Sequence, residues 1–160
     1  MIENGILKNY LHQTSSSDFF ALPHNGHGRR ETYAHESQVR MGNTYMDNGP
    51  SSPEEVIASV QNGIYITSVG GGQVDTTSGD FVFKTNFGYR IENGRITHPI
   101  RAANLAGNGP KMMRDISMIA NDLIVGSRTQ FAGGTCGKEG QGMPVTSANP
   151  TFKVRLKVTG

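Results

Sequence analysis

The chain has 160 residues, enough for one domain with a substantial core. Hydrophobic residues make up 35% and charged residues 18%, which excludes a disordered chain or a coiled coil, and 21 glycines favour turns over long helices. Fifteen basic and thirteen acidic side chains leave a formal charge of +2, and the basic ones are scattered, so nothing indicates a nucleic-acid surface. No apolar run is long enough for a membrane span, and a single cysteine excludes an internal disulfide, so we predict a cytoplasmic location.

Two sites along the chain carry the same turn signal. Asn4-Gly5 and Asn93-Gly94 each stand between apolar residues, and this pair readily adopts the positive φ angles of a tight hairpin turn. Both sites are therefore predicted hairpins. A reversal so soon after Met1 is an unusual way to begin a domain, and it suggests that Met1 is not a natural domain start.

Residues 12–50 contain most of the histidines and little apolar periodicity, which predicts long loops with short strands. The next stretch, "SSPEEVIASVQNG", predicts a helix. Ser52 is its N-cap, Pro53 lies in its first turn, Glu55 completes a capping box, and Gly63 ends it.

The rest of the chain favours strands. "IYITSV" predicts one strand, "GGGQVDTTSGD" a glycine-rich turn, and "DFVFKTNFGYRI" a second strand with aromatic residues on one face. Pro110 opens a predicted helix whose second half fits a strand equally well. "TFKVRLKV" alternates strictly and predicts one continuous strand. Together these elements predict an α+β fold with a mostly antiparallel β-sheet and about two helices.

Cys136 is the only cysteine, and it lies in the glycine-rich stretch "GGTCGKEGQGMP". Flanking glycines let the backbone approach a ligand, and free amides together with Lys138 would favour a thiolate. A lone cysteine is more often a small buried hydrophobic residue. Composition and spacing leave both interpretations open.

The histidines do not form a metal motif by themselves. His35-Glu36 begins like a helical zinc motif, but that motif needs a second histidine one turn later, where Val39 and Arg40 stand. A structural zinc site would need four ligands of its own. We therefore predict no complete metal site and no complete set of catalytic residues within this chain.

Two further segments have residue types that occur in ligand-binding loops. "GHGRRETYAH" groups Arg29, Arg30, Tyr33 and His35, which could hold a carboxylate or a peptide carbonyl, or could be ordinary surface loop residues. "GGGQVD" contains Gly71, Gly72 and Gln73, but it lacks the lysine and the following helix of a P-loop, so we discount nucleotide binding.

Several stretches in order resemble the C-terminal part of the TldD/PmbA family of metalloproteases, in its TldD branch. The resemblance runs over nearly the whole chain. Its segments are "ENGILKNYL", "GRRETYAH", "NTYM", "GGGQVDTTSGDFVF", "IENGRITHPI", "ANLAGNGP", "ISMIANDL" and "CGKEGQGMPV".

The resemblance implies that residues 1–160 form a single C-terminal domain of a larger two-domain protein. In that family two histidines of a helical H-E-x-x-x-H motif and one C-terminal cysteine hold zinc, and the motif's glutamate is the general base. The cysteine corresponds to Cys136. The resemblance also implies a cytoplasmic peptidase that cuts unfolded peptides bound as extended strands. Its candidate peptide-binding segments here are "GRRETYAH" and "GGGQVD", with Gly71, Gly72 and Gln73 in the second. It would act as a homodimer or with a PmbA-like partner.

This chain departs from the family in having no H-E-x-x-x-H motif, which in the family precedes the segment matching Met1. Zn²⁺ would therefore need two histidines from outside this chain. The chain is either a fragment of a zinc-dependent metallopeptidase, which we expect to be inactive alone, or a degenerate relative. As an alternative, it is a non-catalytic peptide-binding or partner subunit. The family has also been called a modulator of DNA gyrase, but no feature of the sequence supports DNA contact.

Overall fold

The structure, a computed structural model, describes residues 1–125 and 132–159. Within these ranges the helices are α1 (Thr14–Phe20), α2 (Pro53–Ala58) and α3 (Gly109–Asp115). The strands are β1 (Ile2–Glu3), β2 (Ile6–Leu7), β3 (Gly28–Arg29), β4 (Gln38–Val39), β5 (Asn43–Tyr45), β6 (Asn62–Val74), β7 (Asp80–Glu92), β8 (Arg95–Arg101), β9 (Asn104–Asn108), β10 (Met118–Ile119), β11 (Ala132–Lys138), β12 (Gln141–Ala148), β13 (Phe152–Lys153) and β14 (Lys157–Thr159). The predicted α+β fold with mostly antiparallel sheets is confirmed.

The chain divides into two compact units. We call residues 1–46 and 124–149 the cysteine unit, and residues 47–123 and 150–160 the sheet unit. No helix among the described residues is long and apolar enough to cross a membrane.

The sheet unit is built around β7. Strand β6 pairs with β7 along one side, while β9 and β8 share the other side, β9 beside the first half of β7 and β8 beside the second. Strand β14 extends the sheet beyond β9, and all of these pairings are antiparallel. Alternation of apolar and polar residues along β7 positions one face of the sheet for burial.

Apolar side chains form the core of the sheet unit, as expected for a sheet with one buried face. Its buried hydrophobic residues are Val56, Ile91, Ala103, Leu105, Ala120 and Leu123. A buried polar pair completes it. The Thr85 hydroxyl donates to the Ala103 carbonyl at 3.0 Å and accepts from the Ala103 amide at 2.8 Å. Both backbone groups of Ala103 therefore have hydrogen-bond partners although they are buried.

The cysteine unit combines several small pieces. Strands β11 and β12 form an antiparallel hairpin, and β5 pairs with β12 in parallel. The short pairs β1–β2 and β3–β4 and helix α1 belong to the same unit. Its buried hydrophobic residues are Met143 and Ala148, and its buried polar residues are His12, Ser17, Arg40 and Gln141.

Both predicted Asn-Gly turns and the predicted N-cap of α2 are confirmed. Asn4-Gly5 joins β1 to β2 and Asn93-Gly94 joins β7 to β8, with φ of 49° and 75° at the first turn and 50° and 74° at the second. The Ser52 hydroxyl accepts from the Glu55 amide at 3.2 Å, and the Glu55 carboxylate accepts from the Ser52 amide at 2.7 Å. These reciprocal bonds are the predicted capping box.

Four element predictions are wrong in detail. Helix α2 ends at Ala58, and Gly63 already lies in β6. The run "GGGQV" belongs to β6, where register shifts between Ile66 and Gly72 absorb the glycines, so the turn is confined to residues 75–79. The C-terminal alternation is split because β13 pairs with β10 and β14 with β9. Helix α1, in the predicted loop region, has the sequence TSSSDFF, which lacks strong helix formers.

Candidate metal centre

Cys136 lies in the middle of β11, opposite Met143 of β12. The hairpin turns at Glu139 and Gly140, where φ is 47° and 76°, the left-handed angles of a tight two-residue turn. Among the described residues β11 pairs with β12 alone, so it is an edge strand. At Gly133 and Gly137, a side-chain Cβ would meet no atom within 4 Å. The backbone on either side of Cys136 is therefore uncrowded.

Arg40 and Met41 contact Cys136 from a distant part of the sequence. The Nη2 of Arg40, whose side chain is 1% exposed, donates to the carbonyl oxygens of Cys136 and Gln141, the second at 2.9 Å. The Met41 amide and the Arg40 guanidinium also act on the pKa of the Cys136 thiol. Two consecutive residues therefore influence Cys136, Arg40 at its carbonyl group and both residues at its thiol.

These contacts lower the pKa of the Cys136 thiol. Burial has the largest single effect and raises the pKa, because it disfavours the charged thiolate. The hydrogen bonds from Met41 and Arg40, and the positive charges of Arg40 and Lys138, together outweigh it. The net pKa lies below its usual range, which favours the thiolate, the form of cysteine that binds metals.

The segment from Arg29 to Met41 makes further polar contacts with the hairpin. Arg29 donates through Nη1 to the Met41 carbonyl at 2.7 Å and through Nη2 to the Pro144 carbonyl at 3.0 Å. The Gln141 side chain accepts from the Glu31 amide at 3.1 Å, and the Glu31 carboxylate accepts from the Gly142 amide at 3.0 Å. Charge-assisted bonds of this kind are among the stronger hydrogen bonds in proteins, so this segment restrains the hairpin.

Cys136 fits zinc by its chemistry, because a thiolate is a preferred zinc ligand. Within residues 1–125 and 132–159, no three His, Cys, Asp or Glu side chains come together in a way that could hold a metal ion. Cys136 would therefore be one ligand of a set that the described residues do not complete.

The predicted substrate-binding residues fall into two groups. Arg29, Arg30, Tyr33 and His35 lie in the same unit as Cys136, whereas Gly71, Gly72 and Gln73 lie in the sheet unit. Arg29 binds two carbonyl groups of its own chain, while Arg30, His35 and Tyr33, which is 92% exposed, are on the surface. At Gly72 a Cβ would collide with the Phe83 ring, so close packing requires this glycine. The substrate role of all seven residues stays a prediction.

The sequence patterns did not reveal two residues that contact the hairpin, Arg40 and Met41, or the role of Gln141 within it. In the sequence, Arg40 stands only where the second histidine of a helical zinc motif would belong. No motif relates it to Cys136, because 96 residues separate them. Only the folded arrangement brings them together.

Comparisons with known proteins agree on one family. A model of the PmbA/TldA metallopeptidase C-terminal domain matches residues 1–160. The metalloprotease TldD homologue of Haemophilus influenzae is 45% identical over 154 residues, which are 96% of this chain and 31% of that protein. The zinc metalloprotease TldD homologue of Saccharolobus solfataricus is 36% identical over 161 residues, covering 100% of this chain and 35% of that protein. The chain thus spans about a third of the length of these relatives.

Solved structures share the fold. The crystal structure of TldE from Thermococcus kodakarensis superimposes with a TM-score of 0.71 at 19% identity, over 99% of this chain and 33% of that one. A putative modulator of a DNA gyrase from Thermotoga maritima gives 0.70 at 25% identity, over 99% of this chain and 32% of that one. The architecture described above is therefore found in proteins of the same kind.

Proposed function

The chain belongs to the PmbA/TldA metallopeptidase C-terminal domain family, and from this premise we propose that it supplies one cysteine ligand to the zinc ion of a peptidase. The observation that supports the proposal is the environment of the Cys136 thiol. The thiol has a lowered pKa and sits on a hairpin that polar contacts restrain.

The remaining ligands would come from outside this chain. By the family resemblance, two histidines of an H-E-x-x-x-H helix complete the set, and the glutamate of that helix is the general base. A zinc ion with three protein ligands lowers the pKa of bound water, which supplies a nucleophile for peptide hydrolysis. The role of the present chain is to hold the thiolate of Cys136 in place.

The exposed edge of β11 supports an extended peptide as the substrate. An added strand would pair with backbone amides and carbonyls, and such pairing reads main chain more than side chains. Recognition of the main chain is compatible with cleavage of unfolded peptides of many different sequences. Arg30, Tyr33 and His35 would contact the peptide near Cys136, whereas the contribution of Arg29 is limited by its bonds to two carbonyls. Gly71, Gly72 and Gln73 remain candidates on the sheet unit.

The same edge strand favours a second candidate function, in which the chain binds peptides without cleaving them, as a partner subunit. Assembly as a homodimer or with a PmbA-like partner, and a cytoplasmic location, belong to the proposal as well. Peptide binding by the purified chain in the presence of a chelator would support this second function. Undetectable affinity under those conditions would count against it.

A chimaeric protein tests the zinc proposal. In it, this chain replaces the matching C-terminal third of the Haemophilus influenzae relative. We expect the chimaera to bind zinc and to cleave unfolded peptides, and Cys136→Ser to abolish both. Thr135→Ser, one residue away on the same strand, is the matched control and should keep both. Zinc content and peptidase activity that survive Cys136→Ser would contradict the proposal.

A further inference from the structure

The burial of Arg40 is unusual because its guanidinium has no carboxylate partner among the described residues. Its side chain is 1% exposed, and taking a guanidinium out of water is costly unless a partner compensates its charge. Among the described residues the ion pairs are His24–Asp18, Arg90–Glu92 and Lys111–Asp115. Arg40 therefore pairs with no carboxylate in that part of the chain.

The side-chain hydrogen bonds of Arg40 among the described residues lead to the hairpin of β11 and β12. Nη2 donates to the carbonyl oxygens of Cys136 on β11 and Gln141 on β12, so that one nitrogen bridges the two strands near their turn. Nε and Nη1 are buried and have no hydrogen-bond partner in that part of the chain. The buried guanidinium therefore acts on the backbone that carries Cys136.

We propose that Arg40 is a positioning residue for the zinc ligand: its buried guanidinium fixes the carbonyl group of Cys136 against that of Gln141, so that the backbone bearing the thiolate is held in one orientation. This inference rests on the proposed function of Cys136. Residues that contact a metal ligand without touching the metal fix the orientation of that ligand. Replacing them typically weakens metal binding by about 10–100-fold. A planar guanidinium is suited to this role because the two N–H groups of Nη2 point in fixed directions, one toward each carbonyl, whereas the ammonium group of a lysine rotates on a flexible stem.

The test measures zinc affinity in the chimaeric protein by competition with a chelator. Arg40→Gln is expected to weaken zinc binding by about 10–100-fold. Arg40→Lys, which keeps the charge but not the planar fork, should recover part of the loss. Arg114→Gln removes an exposed arginine of α3 in the sheet unit and should leave the affinity unchanged. Urea unfolding shows which variants are folded. If Arg40→Gln does not fold, the zinc affinity of Arg40→Lys is compared with that of the parent instead.

A spectroscopic measurement separates positioning from a general loss of structure. With Co²⁺ in place of zinc, Arg40→Gln should retain the thiolate-to-cobalt charge-transfer band, with altered energy or intensity, because Cys136 is still a ligand. A folded Arg40→Gln variant with parental zinc affinity and an unaltered band would overturn the inference while leaving the role of Cys136 intact. Zinc binding that survives Cys136→Ser would instead overturn the proposed function, and the role of Arg40 with it.

Discussion

The sheet unit and the cysteine unit bury different kinds of side chain. In the described residues, six buried hydrophobic residues belong to the sheet unit and two, Met143 and Ala148, to the cysteine unit. Buried side-chain atoms without a hydrogen-bond partner in that part of the chain all belong to the cysteine unit, on His12, Gln13, Ser17, Gln38 and Arg40. Exposed aromatic residues are also concentrated there, such as Phe19 at 81% and Tyr33 at 92%.

The sheet unit therefore provides most of the stabilising apolar burial, whereas the cysteine unit carries the candidate metal ligand. Apolar burial on a long antiparallel sheet supplies the main favourable term in folding. The cysteine unit has little such burial, and polar contacts from the Arg29–Met41 segment hold its hairpin instead. The residue with the most distinctive chemistry, Cys136, is therefore held in place by hydrogen bonds, which depend on geometry more strictly than apolar packing does.

The largest expected effect comes from opening a cavity in the sheet unit. Leu105→Ala should lower the free energy of unfolding by about 2–5 kcal/mol, because Leu105 is buried between paired strands. Phe19→Ala in the cysteine unit should change it by about 0.5 kcal/mol or less, since that ring is mostly exposed. Urea unfolding of both variants measures the difference. Equal losses would contradict the assignment of the stabilising core to the sheet unit.

The two Asn-Gly hairpins offer a matched comparison of the same turn in two settings. Gly94→Ala combines the strain of a residue at φ 74° with a Cβ only 2.6 Å from the Ala58 carbonyl oxygen, so we expect a loss of about 2–4 kcal/mol. Gly5→Ala has the same strain at φ 75° but open space around the Cβ, and it should cost about 1–2 kcal/mol. Thermal unfolding of the two variants measures the difference. A larger loss of stability in Gly5→Ala than in Gly94→Ala would contradict the role assigned to the contact with Ala58.

The thiol of Cys136 should ionise at a lower pH in the folded chain than in urea. The rate of alkylation by iodoacetamide, followed against pH, measures this pKa directly. Because the folded pKa is lowered, ionisation of Cys136 stabilises the fold fully above the unfolded value of about 8.5, and this contribution is lost as the pH falls through the folded value. Arg40→Gln should move the alkylation profile to higher pH. Identical profiles for the folded and urea-unfolded chains would contradict the contacts described for this thiol.

The smallest effect is expected at Asp75, in the turn between β6 and β7. Its carboxylate accepts from the amides of Thr77 at 2.8 Å and Ser78 at 3.2 Å, and these bonds lower its pKa. The stabilisation is therefore present above the unfolded pKa of about 3.9 and is lost as the pH falls through the folded value. Amide hydrogen exchange near the turn should rise in that acidic range, beyond its intrinsic pH dependence, and Asp75→Asn should remove this extra response. A response unchanged in Asp75→Asn would assign it to another group.

The sequence predicts the features of this molecule that depend on neighbouring residues. Capping boxes and Asn-Gly turns are local, so Ser52, Glu55 and both hairpins are recognisable from spacing alone. Alternation reveals β7, because successive side chains of a strand point to opposite faces of the sheet. Alternation fails for residues 152–159, because it indicates an extended chain and does not specify that two successive pieces join different sheets.

The candidate site was predictable only in part. From composition alone, Cys136 could be a small buried hydrophobic residue or a metal-binding residue. The resemblance of the ordered segments to the family favours the metal-binding role. The predicted effect of the neighbouring Lys138 on its pKa is confirmed, whereas the other groups that lower this pKa belong to Arg40 and Met41, which no local pattern connects with it. A buried arginine cannot be recognised from sequence spacing, because its burial depends on acceptors that the fold brings from far along the chain.

The most direct test of the account is the absorption spectrum of the chimaeric protein loaded with Co²⁺. If Cys136 is a metal ligand, the protein shows an intense thiolate-to-cobalt charge-transfer band, and Cys136→Ser removes it while Thr135→Ser retains it. A chimaera that binds cobalt with no such band, or one whose band survives Cys136→Ser, would contradict the claim that this chain supplies a thiolate to the metal.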